Sequence, residues 1–329
     1  MNVLFVGGTG VISSACVRLA VERGLDVTLL NRGRTERPLP EGVRVLRGDA
    51  HDPASLAHAL AGETFDAVVN WVVFTPEQVA LDIEFFRGRT GQYVFISSAS
   101  AYQKPVAGLP ITESTPLHNP FWDYSRNKIA CEERLVQAYR REEFPATIVR
   151  PSHTYDRTML PLLGGWTDVE RMRSGLPVIV HGDGTSLWVL THHEDFARGF
   201  VGLLGNPHAR GDVVHITSDE VLTWNQIYTL MGRAAGVEPR LVHVASETIA
   251  AFDPELGANL LGDKSHSVIF DNTKIKRLVP GFVATRPFSL GAGQIVAWYD
   301  AHPARRVVDQ EWQQLTERIL AAWQASQPQ

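Results

Sequence analysis

The chain has 329 residues, 44% of them hydrophobic and 20% charged, with a formal net charge of −5. That is enough apolar material for a sizeable core and enough length for two closely associated lobes, which argues against a disordered chain. The acidic balance excludes a global basic field for nucleic acid or an anionic membrane surface, and no apolar run reaches the roughly 18 residues that a helical membrane span needs.

The first residues enter an apolar run and a glycine turn at once, with no charged n-region or cleavage site, so no export signal is expected. Short apolar runs then alternate with helical patterns. Val3–Val6, Val27–Leu30, Val43–Leu46, Ala67–Val69, Tyr93–Ile96 and Ala146–Val149 read as buried parallel strands. Between them lie helix-like segments at Ala15–Arg23, Ser55–Leu60, Pro76–Arg87 and Tyr124–Arg141. This alternation predicts an α/β fold with a doubly wound parallel (Rossmann) sheet. From Pro151 the rhythm breaks, and the irregular stretch Thr154–Trp166 opens a smaller, mixed α/β C-terminal lobe. Residues 1–152 are expected to form the dinucleotide-binding domain, joined by a returning segment at 189–217 whose strand is Val213–Thr217. Residues 153–188 and 218–329 form the substrate lobe. Thr191–Glu194 and Thr223–Gln226 have the Thr-x-x-Glu/Gln pattern of a capped helix start, Gly205 and Gly236 stop those helices, and Asp309–Ala325 is an amphipathic helix. Cys16 and Cys131 stand far apart on expected helices without metal-type spacing, so a reducing cytoplasm is the expected compartment.

The glycine turn carries the first chemistry. Gly7, Thr9, Gly10, Val11 and Ile12 leave a strand and open a helix, where backbone amides can approach a pyrophosphate; Ser13 stands at the third small position. The second strand ends Asn31-Arg32-Gly33-Arg34, without the carboxylate that usually accepts from the ribose of NAD. Arg32 and Arg34 can instead hold a 2′-phosphate, the alternative being two solvated loop charges, so NADP is the expected cofactor and NAD the second choice. Asp49 and Asp52 either reach the adenine edge or serve their own turn.

Tyr124 and Lys128 are four apart and share one helix face. A phenol is a poor base at neutral pH, and a nearby ammonium is expected to favour the phenolate and assist proton exchange with an alcohol or ketone. Upstream, Ser97, Ser98 and Ser100 follow an expected central strand, where open sheets bind ligands and a serine can polarise a substrate oxygen.

Taken with Arg150–Tyr155, Gly182-Asp183-Gly184 and the helix carrying Asp195, these motifs make nearly the whole chain resemble an extended short-chain dehydrogenase/reductase of the nucleotide-sugar epimerase and dehydratase type. The resemblance implies Ser98, Tyr124 and Lys128 as catalytic residues. It places Ala50, Trp71, Ser97, Pro151, His153 and Thr154 along the cofactor with the residues already named, and Ser100, Trp122, His153 and Trp188 along the substrate. It also implies a homodimer through the helices at Pro76–Arg87 and Tyr124–Arg141. Two departures narrow the activity. Ala99-Ser100 stand where dehydratases of this type carry an Asp-Glu pair, and Thr185–Val189 lacks the arginine that clamps a substrate diphosphate.

The expected activity is therefore reduction of a ketone, or oxidation of a secondary alcohol, on a sugar-like or glycosylated small molecule. The alternatives are an epimerase that retains its cofactor, and a non-catalytic NADP-binding regulator or RNA-binding relative. Trp188 either stacks on the substrate or packs between the lobes, and His153 either orients substrate or is a structural histidine. Phe121, Trp122 and Trp166 either wall the pocket or fill the core. His192 and His193, about 100° apart on a helix, are poorly placed to share a metal ion, and no metal is expected.

Overall fold

The computed structural model describes residues 1–34 and 37–325. The first half winds as β1 (Asn2–Val6), α1 (Val11–Glu22), β2 (Asp26–Asn31), β3 (Arg44–Arg47), α2 (Pro53–Leu60), β4 (Ala67–Asn70), α3 (Pro76–Phe86), β5 (Tyr93–Ile96), α4 (Asp123–Glu142) and β6 (Ala146–Pro151). Then come β7 (His153–Tyr155), α5 (Trp166–Arg173), β8 (Val178–His181), β9 (Leu187–Trp188), β10 (Leu190–His192), α6 (His193–Leu203) and β11 (Val213–Ile216). The remainder is β12 (Leu222–Thr223), α7 (Trp224–Ala234), β13 (Leu241–Val244), α8 (Ser246–Phe252), α9 (Pro254–Asn259), α10 (Thr273–Leu278), α11 (Phe288–Ala301) and α12 (Gln310–Ala325).

Seven strands form one parallel sheet in the order β11-β6-β5-β4-β1-β2-β3. The expected Rossmann sheet is thus present, and its last strand is the returning segment, docked on β6 with Val213 opposite Ile148. Alternation along β1 divides the core. Val3 and Phe5 pack with α1 and α6, whereas Leu4 and Val6 pack with α2, α3 and α4, so both faces are dry. The α6 contribution is aromatic: the Phe200 ring lies 4.9 Å from Trp71 and 6.2 Å from Phe5.

The second lobe is built from three two-stranded pairs, β7–β10 and β8–β13 parallel and β9–β12 antiparallel, around its own core. Trp166 belongs to that core and stacks on Tyr299 at 4.8 Å. Thr223 caps α7 as its spacing predicts, with Gln226 N–H donating to its hydroxyl at 3.1 Å. The Thr191 expectation is corrected. Pairing of β10 with β7 extends to His192, which draws Thr191 into the strand; its hydroxyl bonds Ser152 at 2.8 Å, and the cap passes to the His192 ring, which accepts from Glu194 N–H.

Two buried polar groups tie helices to the sheet. Asp82 on α3 accepts from Tyr93 on β5 and from Asn70 on β4, both at the same carboxylate oxygen. On α4, Glu132 receives Arg150 of β6 through two guanidinium nitrogens, with both side chains buried, and the hydroxyl of Ser97 donates to the same carboxylate. Burial pushes Asp82 from its ordinary 3.8 up to about 7, while the bonds from Tyr93 and Asn70 pull it down. A carboxyl whose folded value exceeds its unfolded one favours the fold at low pH, and that contribution is lost as pH rises through about 7. Asp82→Asn still offers one oxygen to both donors, so it should flatten the fall of Tm between about pH 4 and about pH 8 and sit above wild type at the upper end. A parallel Tm–pH curve refutes this. Glu132→Ala leaves a buried guanidinium without its partner and should cost roughly 3–5 kcal/mol in denaturant unfolding; a loss below about 1 kcal/mol would show the pair to be dispensable.

Candidate active site

The carboxyl ends of β5 and β6, the first turn of α4, and a turn from the second lobe enclose a cleft of about 280 Å³. Ser98, Ser100, Trp122, Tyr124, Pro151, His153, Thr154 and Trp188 all line it, so eight expected residues meet at one place. Phe121 is largely exposed and Trp166 lies in the second core, leaving Trp122 as the wall from that aromatic group. Trp188 lines the cleft and packs on Trp224 at 5.3 Å within the second core.

The position of Tyr124 follows from Lys128. The Lys128 ammonium is buried and donates to Val73 O at 2.6 Å and Ile96 O at 2.8 Å, which fixes α4 against the ends of β4 and β5. One helical turn earlier, Tyr124 overhangs the cleft. Ser98 bonds Tyr124 and shares a 2.9 Å contact with Ser100, whose hydroxyl also receives Ser125 at 2.8 Å. Burial lowers Lys128 to about 8, with Cys131 and Glu132 opposing.

The expected lowering of the phenol is corrected. Burial raises Tyr124 above its ordinary value; its bond to Ser98 pulls the other way and Asp263 adds to the rise. The ammonium lies 5.7 Å from the phenol ring centre and spends two of its protons on backbone carbonyls, so desolvation wins. The Tyr124 phenol is therefore protonated at neutral pH. His153 is neutral, brought to about 3 by burial and Lys264. Its Nδ1 accepts from Trp188 Nε1 at 3.1 Å, which puts the remaining ring proton on Nε2.

The glycine turn has the shape a pyrophosphate requires. Gly7 has φ +84°, and a Cβ there would stand 2.7 Å from Val72 Cγ1. The Ser13 hydroxyl accepts from Gly10 N–H at 2.7 Å, so it organises the start of α1 alongside Thr9, Val11 and Ile12. At the end of β2, Asn31 accepts from Gly33 N–H at 2.9 Å and from Arg47 at 2.8 Å, and Arg32 pairs with Asp49 at 3.8 Å. Asp49 also serves its own turn through His51 N–H, and Asp52 caps α2. Arg34 lines a separate groove together with Ser14, Arg18 and Arg37. Ala50 is buried beneath this edge, and Trp71 buries an indole N–H that has no partner among the described residues. A glycine turn opening α1, with Arg32 and Arg47 at the end of a β2 that no carboxylate closes, fits a dinucleotide. Ser97 is the exception: its hydroxyl is committed to Glu132, so its side chain does not serve the cleft.

Sequence reasoning missed Asp263, Lys264, Met159 and Phe270 in the cleft, and Arg47 at the cofactor edge. A second basic residue on the neighbouring strand was a usable signal for Arg47. The residues of the second lobe carried none, because they arrive through tertiary contacts.

A search of curated proteins finds 2′-dehydrokanamycin reductase of Streptomyces kanamyceticus, 29% identical over 86% of this chain and 80% of the relative. The chloroplast stem-loop binding protein of 41 kDa b of Arabidopsis thaliana is 28% identical over 74% of this chain, which spans 65% of that protein's length. Among solved structures, UDP-glucose 4-epimerase of Bifidobacterium longum in complex with NAD+ and UDP superposes with TM-score 0.73 at 18% identity, covering 92% of this chain and 99% of the other. The model of the NAD dependent epimerase/dehydratase family matches residues 3–89 and 83–217. With the parallel sheet, the glycine cradle and the tyrosine–lysine helix in place, the chain belongs to the NAD-dependent epimerase/dehydratase family.

Proposed function

We propose that this chain is an NADP-preferring oxidoreductase that reduces a ketone, or oxidises the matching secondary alcohol, on a sugar-like or glycosylated small molecule. The observation that carries the reading is that Ser98 and Tyr124 line one cleft at the ends of β5 and β6 while the buried Lys128, one turn along the same helix, is anchored to the carbonyls of Val73 and Ile96. The relative named 2′-dehydrokanamycin reductase supports a net redox reaction on a small molecule.

Gly7, Thr9, Gly10, Val11 and Ile12 would hold the pyrophosphate. Asn31, Arg32, Arg34 and Arg47 would hold the 2′-phosphate, and Asp49 and Ala50 would flank the adenine. Trp71, Pro151, His153, Thr154 and Lys128 would hold the nicotinamide riboside. When bound, a reduced nicotinamide supplies hydride to the carbonyl carbon. Tyr124, whose burial keeps it protonated, gives its proton to the carbonyl oxygen, and Ser98 polarises that oxygen. The Lys128 ammonium lowers the cost of the phenolate left behind. His153 offers its Nε2 proton to the substrate, and Trp122 and Trp188 exclude water from the cleft.

The same reading takes the cytoplasm as compartment, in keeping with two buried, unpaired cysteines, and α3 with α4 as the homodimer face. No helix of the described residues is long and apolar enough to cross a membrane. Tyr124→Phe should lower kcat by roughly 10²-fold or more while NADPH binding stays within about twofold of wild type. Unchanged turnover removes the catalytic assignment. Arg32→Ala with Arg34→Ala should weaken NADPH roughly 10- to 100-fold and NADH hardly at all, read by fluorescence titration; equal losses remove the phosphate role.

A further inference from the structure

One segment of the cleft acts on the proton chemistry above only through the charge of Asp263. After α9 the chain opens into a wide turn, Leu260–Lys264, closed by Ser265 N–H to Leu260 O at 2.9 Å. It is fixed from two sides. The Lys264 carbonyl faces His181 Nε2 at 3.1 Å, Trp224 Nε1 at 3.1 Å and Ser186 Oγ at 3.3 Å. The Asn119 amide bonds Gly262 O at 2.7 Å and Ser100 O at 3.0 Å, which docks the turn on the catalytic serine loop. A Cβ on Gly262 would stand 2.8 Å from Trp122 Cβ, so the approach is as close as glycine permits.

This docking delivers Asp263 and Lys264 to the cleft. Lys264 is engaged with the side chain of Asn259. Asp263 is not so engaged. Its side chain is 18% exposed, and neither carboxylate oxygen accepts a hydrogen bond among the described residues. Its nearest counter-charge is Lys104 at 3.9 Å, a side chain at 0% exposure whose ammonium has no hydrogen-bond partner. A buried ammonium with no hydrogen-bond partner, held only by a carboxylate that opens on the cleft, is costly, and it is tolerated where a ligand completes the network. The cleft of about 280 Å³ sits just below the usual range for small-molecule sites, roughly 300–1,000 Å³, which suits one ring rather than a nucleotide-linked one. No arginine stands among its described lining residues to clamp a diphosphate. Two lysines beside one carboxylate also disfavour an ammonium-bearing ring.

We infer that Asp263 is the substrate-orienting acceptor of this cleft: its carboxylate takes hydrogen bonds from the hydroxyls of an uncharged polyol ring walled by Trp122 and Trp188. The inference rests on reading the cleft as the substrate site, and it names the group that is recognised there. Carboxylates suit adjacent hydroxyls because two oxygens present several lone pairs in one plane.

The test uses the full chain with NADPH and saturation-transfer NMR, which reads binding without turnover. The probes are methyl β-glucopyranoside, its 2-amino-2-deoxy analogue and cyclohexanol. The glucoside should bind wild type better than either comparison compound, and Asp263→Asn should weaken it roughly 10- to 100-fold, the loss expected for charged hydrogen bonds. Asp263→Asn also strands the Lys104 charge, so thermal stability should fall. Adding Lys104→Met should restore stability but not glucoside binding, which a purely structural role does not predict. Equal glucoside binding by wild type and Asp263→Asn overturns the inference, as does absent binding to wild type, preference for the amine, or recovery of binding in the double variant. If binding depends on Asp263 while no ketone is reduced, the acceptor role stands and the reductase reading falls.

Discussion

A buried ammonium holds the site in place. Lys128 has left water and must find acceptors inside the protein, and the two it finds are the backbone carbonyls that follow β4 and end β5. Because one of those carbonyls ends a sheet strand and the other follows one closely, the register of the helix carrying Lys128 is fixed against the sheet. Tyr124 then falls at the cleft one turn away, and Glu132, one turn further on, meets Arg150 from β6. Two buried charges on successive turns of one helix thus fix a phenol relative to a parallel sheet.

The second lobe completes what the sheet begins. His181, Ser186 and Trp224 converge on the Lys264 carbonyl, and Asn119 ties the same turn to the serine loop. Consequently the acidic residue nearest the phenol comes from the far end of the chain. Its charge adds to the rise of Tyr124, so the second lobe helps keep that phenol protonated. Binding and acid strength are coupled through one carboxylate.

The parts that could be read from sequence are those governed by local periodicity. Buried parallel strands, the glycine turn and the four-residue spacing of Tyr124 and Lys128 each arise from short stretches, and the family match and the sheet agree with them. What was illegible depends on partners distant in sequence. Thr191 has a capping pattern but is claimed by β10, and Ser97 sits in the right motif but spends its hydroxyl on Glu132. The expected acidification of the phenol failed because desolvation outweighs an ammonium already bonded elsewhere. Asp263 had no motif at all; its significance lies in its pairing with the buried Lys104 ammonium, which has no hydrogen-bond partner, and that pairing exists only once the chain is folded.

On the proposed function, this site protonates an oxygen while hydride arrives at the adjacent carbon. The most direct measurement supplies NADPH deuterated at the transferable position, together with keto-glycosides, and follows the label. One deuterium retained in the alcohol product for each NADPH consumed is the predicted result. Label that never leaves the nicotinamide, or epimerised product formed without net consumption of NADPH, would contradict the account.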